Sequence, residues 1–69
     1  MVEVFKTNVA GSDQSDILAL RLLAHFPMSK ITFDLEDCDR ILRIDGAGIS
    51  TIKVKEVMNL HGYECTALE

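Results

Sequence analysis

Three side chains that lie far apart in the sequence carry groups that bind transition metals. They are Asp13, Cys38 and His61, which offer a carboxylate, a thiolate and an imidazole. Zinc accepts all three kinds of ligand, and thiolate also suits Cu(I). A copper or zinc site built from these residues is therefore one hypothesis for the function, provided that the fold brings them to the same place.

A second group with ligand chemistry is the acidic segment around Cys38. Its carboxylates belong to Asp34, Glu36, Asp37 and Asp39. Their spacing lacks the central glycine and the distant glutamate of an EF-hand calcium loop. The pattern favours a solvated turn, and the alternative is a docking surface for a basic partner.

The segment NVAGSDQSD, residues 8–16, joins the first apolar stretch to the first amphipathic one. Ser12 or Asp13 is expected to cap a helix here, and acidic residues in the first turn complement the positive end of the helix dipole. The alternative is that Asp13 and Asp16 bind a harder cation, but two carboxylates without further ligands give little support to it.

The other reactive side chains have structural explanations. Cys65 is expected to face the core as a small hydrophobe, and His25 to lie favourably at the negative end of a helix dipole. Met28 and Met58 are expected to fill the core. No nucleophile–base pair, glycine-rich phosphate loop or pair of catalytic carboxylates can be recognised, so the chain is predicted not to be an enzyme.

Length and charge restrict the function classes further. The 69 residues carry a net charge of −4, which argues against a nucleic-acid partner. No segment approaches the roughly 20 apolar residues of a membrane span, so no membrane partner and a cytoplasmic location are expected. Two cysteines are too few for a disulfide framework and are expected to be free thiols. Residues 1–67 are expected to form one domain, and residues 68–69 to be a possible remnant of an expression tag.

Hydrophobic periodicity predicts six elements in the order β-α-β-β-α-β. The strands are predicted over residues 2–9, 30–36, 40–44 and 63–67. Apolar residues on both faces of the first strand indicate a central strand, or one whose second face meets a partner. The order of elements predicts an α+β, ferredoxin-like sandwich with two helices on one face of a four-stranded antiparallel sheet.

Two amphipathic segments predict the helices. Leu18 and Leu22 share one stripe of the first helix, which Pro27 is expected to end. Ser50 is expected to cap the second helix, and Gly62 to end it in the left-handed conformation. In this topology the loop before the first helix, the turn after the second strand and the end of the second helix lie at the same end of the sheet. The three metal ligands named above belong to these connections.

Two longer segments carry a family resemblance. In FPMSKITFDLED a helix-ending turn leads into a strand, and in VMNLHGYEC the second helix closes before Gly-Tyr and the last strand. With these segments in this order, the chain resembles the heavy-metal-associated domains, which include the small copper chaperones and the N-terminal modules of metal-pumping ATPases. The resemblance spans almost the whole chain and implies a role in metal homeostasis.

The family's metal site is where this sequence departs from the pattern. Family members hold metal with a Met-x-Cys-x-x-Cys motif between the first strand and the first helix. Here Val9 aligns near the methionine, and the two cysteine positions fall at or beside Gly11 and Gln14. Both thiols are missing, so the family's metal binding does not carry over to these positions.

Together these observations predict a small soluble, non-enzymatic binding or interaction module, with a protein partner or as a homodimer, because the outer strands present edges. The alternative is direct copper or zinc binding at Cys38, His61 and Asp13. A third hypothesis is an acylphosphatase-like enzyme on the same sandwich, but NVAGSDQSD lacks the arginine that such a phosphate loop requires.

Overall fold

The computed structural model describes residues 1–68, and its elements follow the predicted order. They are β1 (Val2–Thr7), α1 (Ser12–His25), β2 (Lys30–Asp34), β3 (Ile41–Asp45), α2 (Thr51–Leu60) and β4 (Cys65–Leu68). The strands form one sheet in the order β2-β3-β1-β4, in which neighbouring strands are antiparallel. The predicted α+β, ferredoxin-like sandwich is confirmed.

The hydrophobic core lies between the two helices and one face of the sheet. β1 is a central strand, as predicted, and its Phe5 lies opposite Leu42 of β3 and Ala67 of β4. Side chains of both helices pack against this row. The buried cluster consists of Phe5, Val9, Leu18, Leu22, Leu42, Ile44, Val54, Val57, Met58 and Cys65.

Strand β1 stops two residues before its predicted end, because Thr7 turns the chain. The Thr7 N–H donates to the carbonyl of Asp39 at 3.0 Å, and the Thr7 hydroxyl donates to the carbonyl of Arg40. The same hydroxyl accepts a hydrogen bond from the Val9 N–H at 3.3 Å. Val9 is fully buried although it lies outside the strand.

The bounds of the other strands differ from prediction by one or two residues. β3 begins at Ile41 rather than at Arg40, because the Arg40 backbone has a φ of 49° and cannot continue a strand. Leu68, one of the two residues set aside as a tag remnant, ends β4 and lies opposite Val4. Glu69, the other, lies outside the described residues.

The start of α1 differs from prediction in the residue that caps it. The N-cap is Gly11, and neither Ser12 nor Asp13 takes that position. The side chain of Gln14 folds back instead, and its Oε1 accepts hydrogen bonds from the N–H groups of Ala10 and Gly11, each at 3.3 Å. The Gln14 amide thus satisfies N–H groups at and before the N-cap, whereas a capping hydroxyl or carboxylate would accept from N–H groups inside the first turn.

The C-terminal end of α1 and both ends of α2 agree with the predicted helix signals. α1 ends at His25, two residues before Pro27. The Ser50 hydroxyl caps α2 by accepting a hydrogen bond from the Lys53 N–H at 3.2 Å. Gly62 follows α2 with a φ of +86°, a conformation that glycine adopts without strain.

Of the two methionines expected in the core, Met58 is fully buried on α2 and Met28 is 95% exposed. The prediction for Met28 is therefore wrong. Met28 lies in the turn between α1 and β2, next to Pro27, where neither the stripe of a helix nor the alternation of a strand directs a side chain inward.

Candidate functional site

Three connections meet at one end of the sheet, as the topology predicts. They are residues 8–11, 35–40 and 61–64. The Asn8 Oδ1 accepts a hydrogen bond from the Glu64 N–H at 2.8 Å, which joins the first connection to the third. The Arg40 guanidinium donates to the carbonyls of Ala10 at 3.4 Å and Leu35 at 2.8 Å, which joins the first to the second.

Arg40 has a role at this end that the sequence pattern does not reveal. Its backbone is left-handed, and its N–H donates to the carbonyl of Asp37 at 3.0 Å. Nothing local marks an arginine for this conformation, because glycine and asparagine are the usual residues there. The guanidinium places a positive charge beside the loop that precedes α1.

The structure does not gather the three predicted metal ligands into one set. Asp13 is exposed in the first turn of α1, Cys38 is exposed in the β2–β3 turn, and His61 is exposed at the C-cap of α2. Within residues 1–68, three ligand atoms of His, Cys, Asp or Glu lie within 4.8 Å of one another only in Asp37, Cys38 and Asp39. Asp13 and His61 lie at the same end of the molecule as Cys38, but their ligand atoms are not part of the close group around Cys38.

The closeness of Asp37, Cys38 and Asp39 is explained by the turn that contains them. The Asp37 Oδ1 accepts a hydrogen bond from the Asp39 N–H at 2.8 Å. The Asp39 carboxylate lies 3.5 Å from the Nζ of Lys6, which offsets part of the negative charge. The two other carboxylates of the acidic segment are exposed, as expected of a solvated turn.

The second thiol, Cys65, is buried at the start of β4 and belongs to the core, as predicted. Burial raises the pKa of the Cys65 thiol to about 11, and the Lys55 ammonium offsets part of that rise. Since the thiolate is the nucleophile and the metal ligand, Cys65 is inert at neutral pH. Both cysteines are free thiols.

A different surface combines exposed apolar side chains with an open strand edge. α1 buries Leu18 and Leu22, whereas Ile17, Leu20 and Leu23 are 56%, 69% and 39% exposed. Beside them runs an open and mainly apolar groove, named here the α1–β2 groove. It is lined by Asp16, Ala19, Leu20, Leu23, Ser29 and Ile31. β2 is the outermost strand of the sheet, so one side of its backbone has no neighbouring strand within residues 1–68.

The face of the sheet that the helices leave uncovered is more polar. Val2 and Val4 of β1 share this face with Lys6, and the register adds Arg43 and Asp45 of β3. Leu68 of β4 lies opposite Val4, so the face mixes charged and apolar side chains, as an ordinary solvated surface does. The α1–β2 groove differs from this face because it combines exposed apolar side chains with an open strand edge.

Two findings concern the chain as a whole. No helix within residues 1–68 has both the length and the apolar character needed to cross a membrane. Comparison with protein-family models, curated proteins and solved structures gives no significant match. The resemblance to heavy-metal-associated domains therefore rests on the segments FPMSKITFDLED and VMNLHGYEC.

Proposed function

We propose that the chain is a small non-enzymatic binding module, similar to heavy-metal-associated domains but without their paired thiols. Its function is to accept an extended protein strand at the α1–β2 groove. One observation carries the proposal: Leu20 and Leu23 stay exposed along a groove that includes Ile31 of the open edge strand β2. The resemblance supports a role of this binding function within metal homeostasis.

The groove offers a partner both apolar contact and backbone pairing. Burying a leucine that was exposed to water contributes about 1.5–3 kcal/mol. Leu20 is 69% exposed, so most of its apolar surface is available to a partner. A strand added to β2 also gains main-chain hydrogen bonds, and its alternate side chains point towards the groove.

A second open groove, between the two helices, fits this function less well. Its lining includes the charged residues Lys53 and Glu56, together with His25. It borders no strand, so a partner there would gain no backbone pairing. The acidic β2–β3 turn keeps its two interpretations, a solvated turn or the alternative of a docking surface for a basic partner, since its carboxylates are mostly exposed.

Site-specific photo-crosslinking in cells tests the proposal. We expect a photoreactive amino acid at position 20 to give a defined protein adduct, because Leu20 lines the groove. The matched control is position 52, since Ile52 is an apolar residue of α2 that is 72% exposed and lies outside the groove. Electrophoresis and mass spectrometry of the adducts measure the yield and identify the partner.

The comparison of the two positions decides the outcome. One polypeptide trapped at position 20 and not at position 52 supports the groove as the binding surface, whether that polypeptide is a second copy of the chain or another protein. Equal yields at both positions, or no adduct at position 20, contradict the proposal.

The alternative function is direct copper or zinc binding through Cys38, His61 and Asp13. Its support is that Cys38, His61 and the first turn of α1 with Asp13 lie at one end of the sheet, and that Cys38 lies close to two carboxylates. A structural zinc site closes a tetrahedron of four ligands. The interaction module is favoured because His61 and Asp13 do not join the ligand atoms around Cys38.

Replacing Cys38 with serine and His61 with alanine separates the two functions. We expect reduced wild-type protein and both variants to bind Zn²⁺ with the same weak affinity, measured by competition with a chromophoric chelator. For Cu(I), His61→Ala is the decisive variant, because an exposed thiol binds this soft ion without further protein ligands. A loss of about tenfold or more in affinity, or about 1.4 kcal/mol, in both variants would establish the metal site instead.

A further inference from the structure

We infer that the strand accepted at the α1–β2 groove is β2 of a second copy of this chain, paired antiparallel about a two-fold axis at Thr32. The inference rests on the proposed function, because it names the partner of the same groove. Two four-stranded sheets would then join into one continuous sheet.

The edge of β2 has no feature that blocks such pairing. Its sequence, KITFD, contains neither proline nor glycine, and all five residues pair regularly with β3 on the inner side. Natural proteins protect exposed edges with proline, bulges, very short strands or charged side chains. The two charged residues of β2 have opposite signs and lie at its two ends, so they favour pairing in one register. The opposite edge, β4, has four residues and no charged side chain that could set a register. β2 is therefore the better template for an additional strand.

The charges of β2 are complementary to themselves when the strand pairs antiparallel with a copy. With Thr32 opposite the partner's Thr32, Lys30 lies opposite the partner's Asp34 and Asp34 opposite the partner's Lys30. All five residues are then paired, and two ion pairs form across the new boundary on the uncovered face. Moving the axis to Ile31 or Phe33 separates lysine from aspartate and shortens the paired segment. The charges thus select one register.

The same register joins the apolar surfaces of the two copies. Ile31 and Phe33 alternate with the polar residues of β2 and pack towards the helices. Ile31 of one copy lies opposite Phe33 of the other. Leu20 and Leu23 of α1 line the groove beside them, so the two grooves meet across the axis. Apolar side chains that water contacts in the single chain become buried in the dimer.

The two-fold axis also sets the two α1 helices antiparallel. The first half of α1 carries Asp13 and Asp16, and the second half carries Arg21 and His25. Antiparallel packing brings the acidic half of each helix towards the basic half of the other. Because the interface is isologous, each contact occurs twice and assembly closes at two copies.

Charge reversal within β2 tests the register. Wild-type protein is expected to show a monomer–dimer equilibrium in sedimentation velocity between low-micromolar and near-millimolar concentration. Lys30→Glu puts two acidic side chains opposite each other and Asp34→Lys puts two basic ones there, so each is expected to weaken the dimer about tenfold. The double variant Lys30→Glu/Asp34→Lys restores both ion pairs and is expected to dimerise like the wild type. Circular dichroism checks that each variant is folded.

A cysteine at the axis gives an independent measurement. In a Cys38→Ser background, Thr32→Cys places two thiols opposite each other, at a Cα separation that a disulfide can span. Diamide is expected to link this variant into a covalent dimer much faster than Thr66→Cys. Thr66 is the matched control, because it is an exposed threonine on the other edge strand.

The inference is overturned by a protein that stays monomeric over the whole concentration range, by equal rates of disulfide formation at positions 32 and 66, or by a double variant that does not recover. If position 20 meanwhile traps a different polypeptide in cells, the proposed function stands and only the identity of the partner changes. If position 20 traps nothing, the proposed function is contradicted as well as the dimer.

Discussion

The variant Phe5→Ala is expected to unfold at a much lower urea concentration than the wild type. Phe5 is fully buried on the central strand β1, between Leu42 and Ala67 and against the helices. Truncating a buried phenylalanine to alanine costs about 3–5 kcal/mol. A domain of this length has a total free energy of unfolding of about 3–10 kcal/mol, at roughly 0.05–0.15 kcal/mol per residue. The substitution thus removes a large part of the stability.

Urea unfolding followed by far-UV circular dichroism measures this effect. Met28→Ala is the control, because Met28 is 95% exposed and its truncation is expected to change the free energy of unfolding by less than about 0.5 kcal/mol. Phe5→Leu, which keeps most of the buried volume, is expected to retain the fold. Equal urea midpoints for Phe5→Ala and Met28→Ala would show that the core is not organised around β1.

At position 40, glycine is expected to give a more stable protein than alanine, by about 1 kcal/mol. The Arg40 backbone has a φ of 49°, and the left-handed conformation costs a residue with a Cβ about 1–2 kcal/mol. Glycine avoids this cost. Both variants lose the hydrogen bonds from the guanidinium to Leu35 and Ala10, and since Arg40 is partly exposed we expect alanine to lose only about 1 kcal/mol relative to arginine.

Arg21 provides the control for this comparison. It is an exposed arginine within α1, where alanine is expected to be more stable than glycine by about 1 kcal/mol. The difference in free energy of unfolding between the glycine and alanine variants is therefore expected to have opposite signs at positions 40 and 21. Urea unfolding of the four variants measures the difference at each position. The same sign at both positions would mean that the turn does not hold Arg40 in the left-handed conformation.

Features that depend on near neighbours in the chain were predictable from the sequence. The alternation of Ile31 and Phe33 with polar residues identified β2, and Ser50 and Gly62 marked the ends of α2 because caps act within one turn. The exception is the cap of α1, where Gly11 is the N-cap and the Gln14 side chain serves it. Glycine is itself an accepted N-cap residue, and the Gln14 amide bonds N–H groups at and before the N-cap, so a list of preferred capping side chains does not decide which position caps the helix.

Features that depend on contacts between distant residues were not predictable. The hydrogen bond from the Thr7 hydroxyl to Arg40 spans 33 positions, and the one from Arg40 to Ala10 spans 30. These contacts end β1 and accompany the left-handed backbone of Arg40. Topology placed Asp13, Cys38 and His61 at one end of the sheet, but a shared end does not fix side-chain positions to bonding distance.

The α1–β2 groove had a signal in the sequence. Ile17, Leu20 and Leu23 lie off the stripe of Leu18 and Leu22, so α1 carries more apolar residues than one buried face requires. On an amphipathic helix the opposite face is normally polar. An apolar excess of this kind predicts a second contact surface, even though it does not identify the neighbouring strand.

The Gln14 cap constrains the order in which a lineage could exchange this loop for one with two thiols. A cysteine at position 11 meets little resistance, because a Cβ on Gly11 would approach Gln14 no closer than 4.0 Å. A cysteine at position 14 removes the amide that bonds the N–H groups of Ala10 and Gly11. The effect of a thiol at position 14 therefore depends on whether position 11 already carries one. The thiol at 11 could be acquired first at little cost, whereas the thiol at 14 would be favoured only once a bound metal compensates for the lost cap.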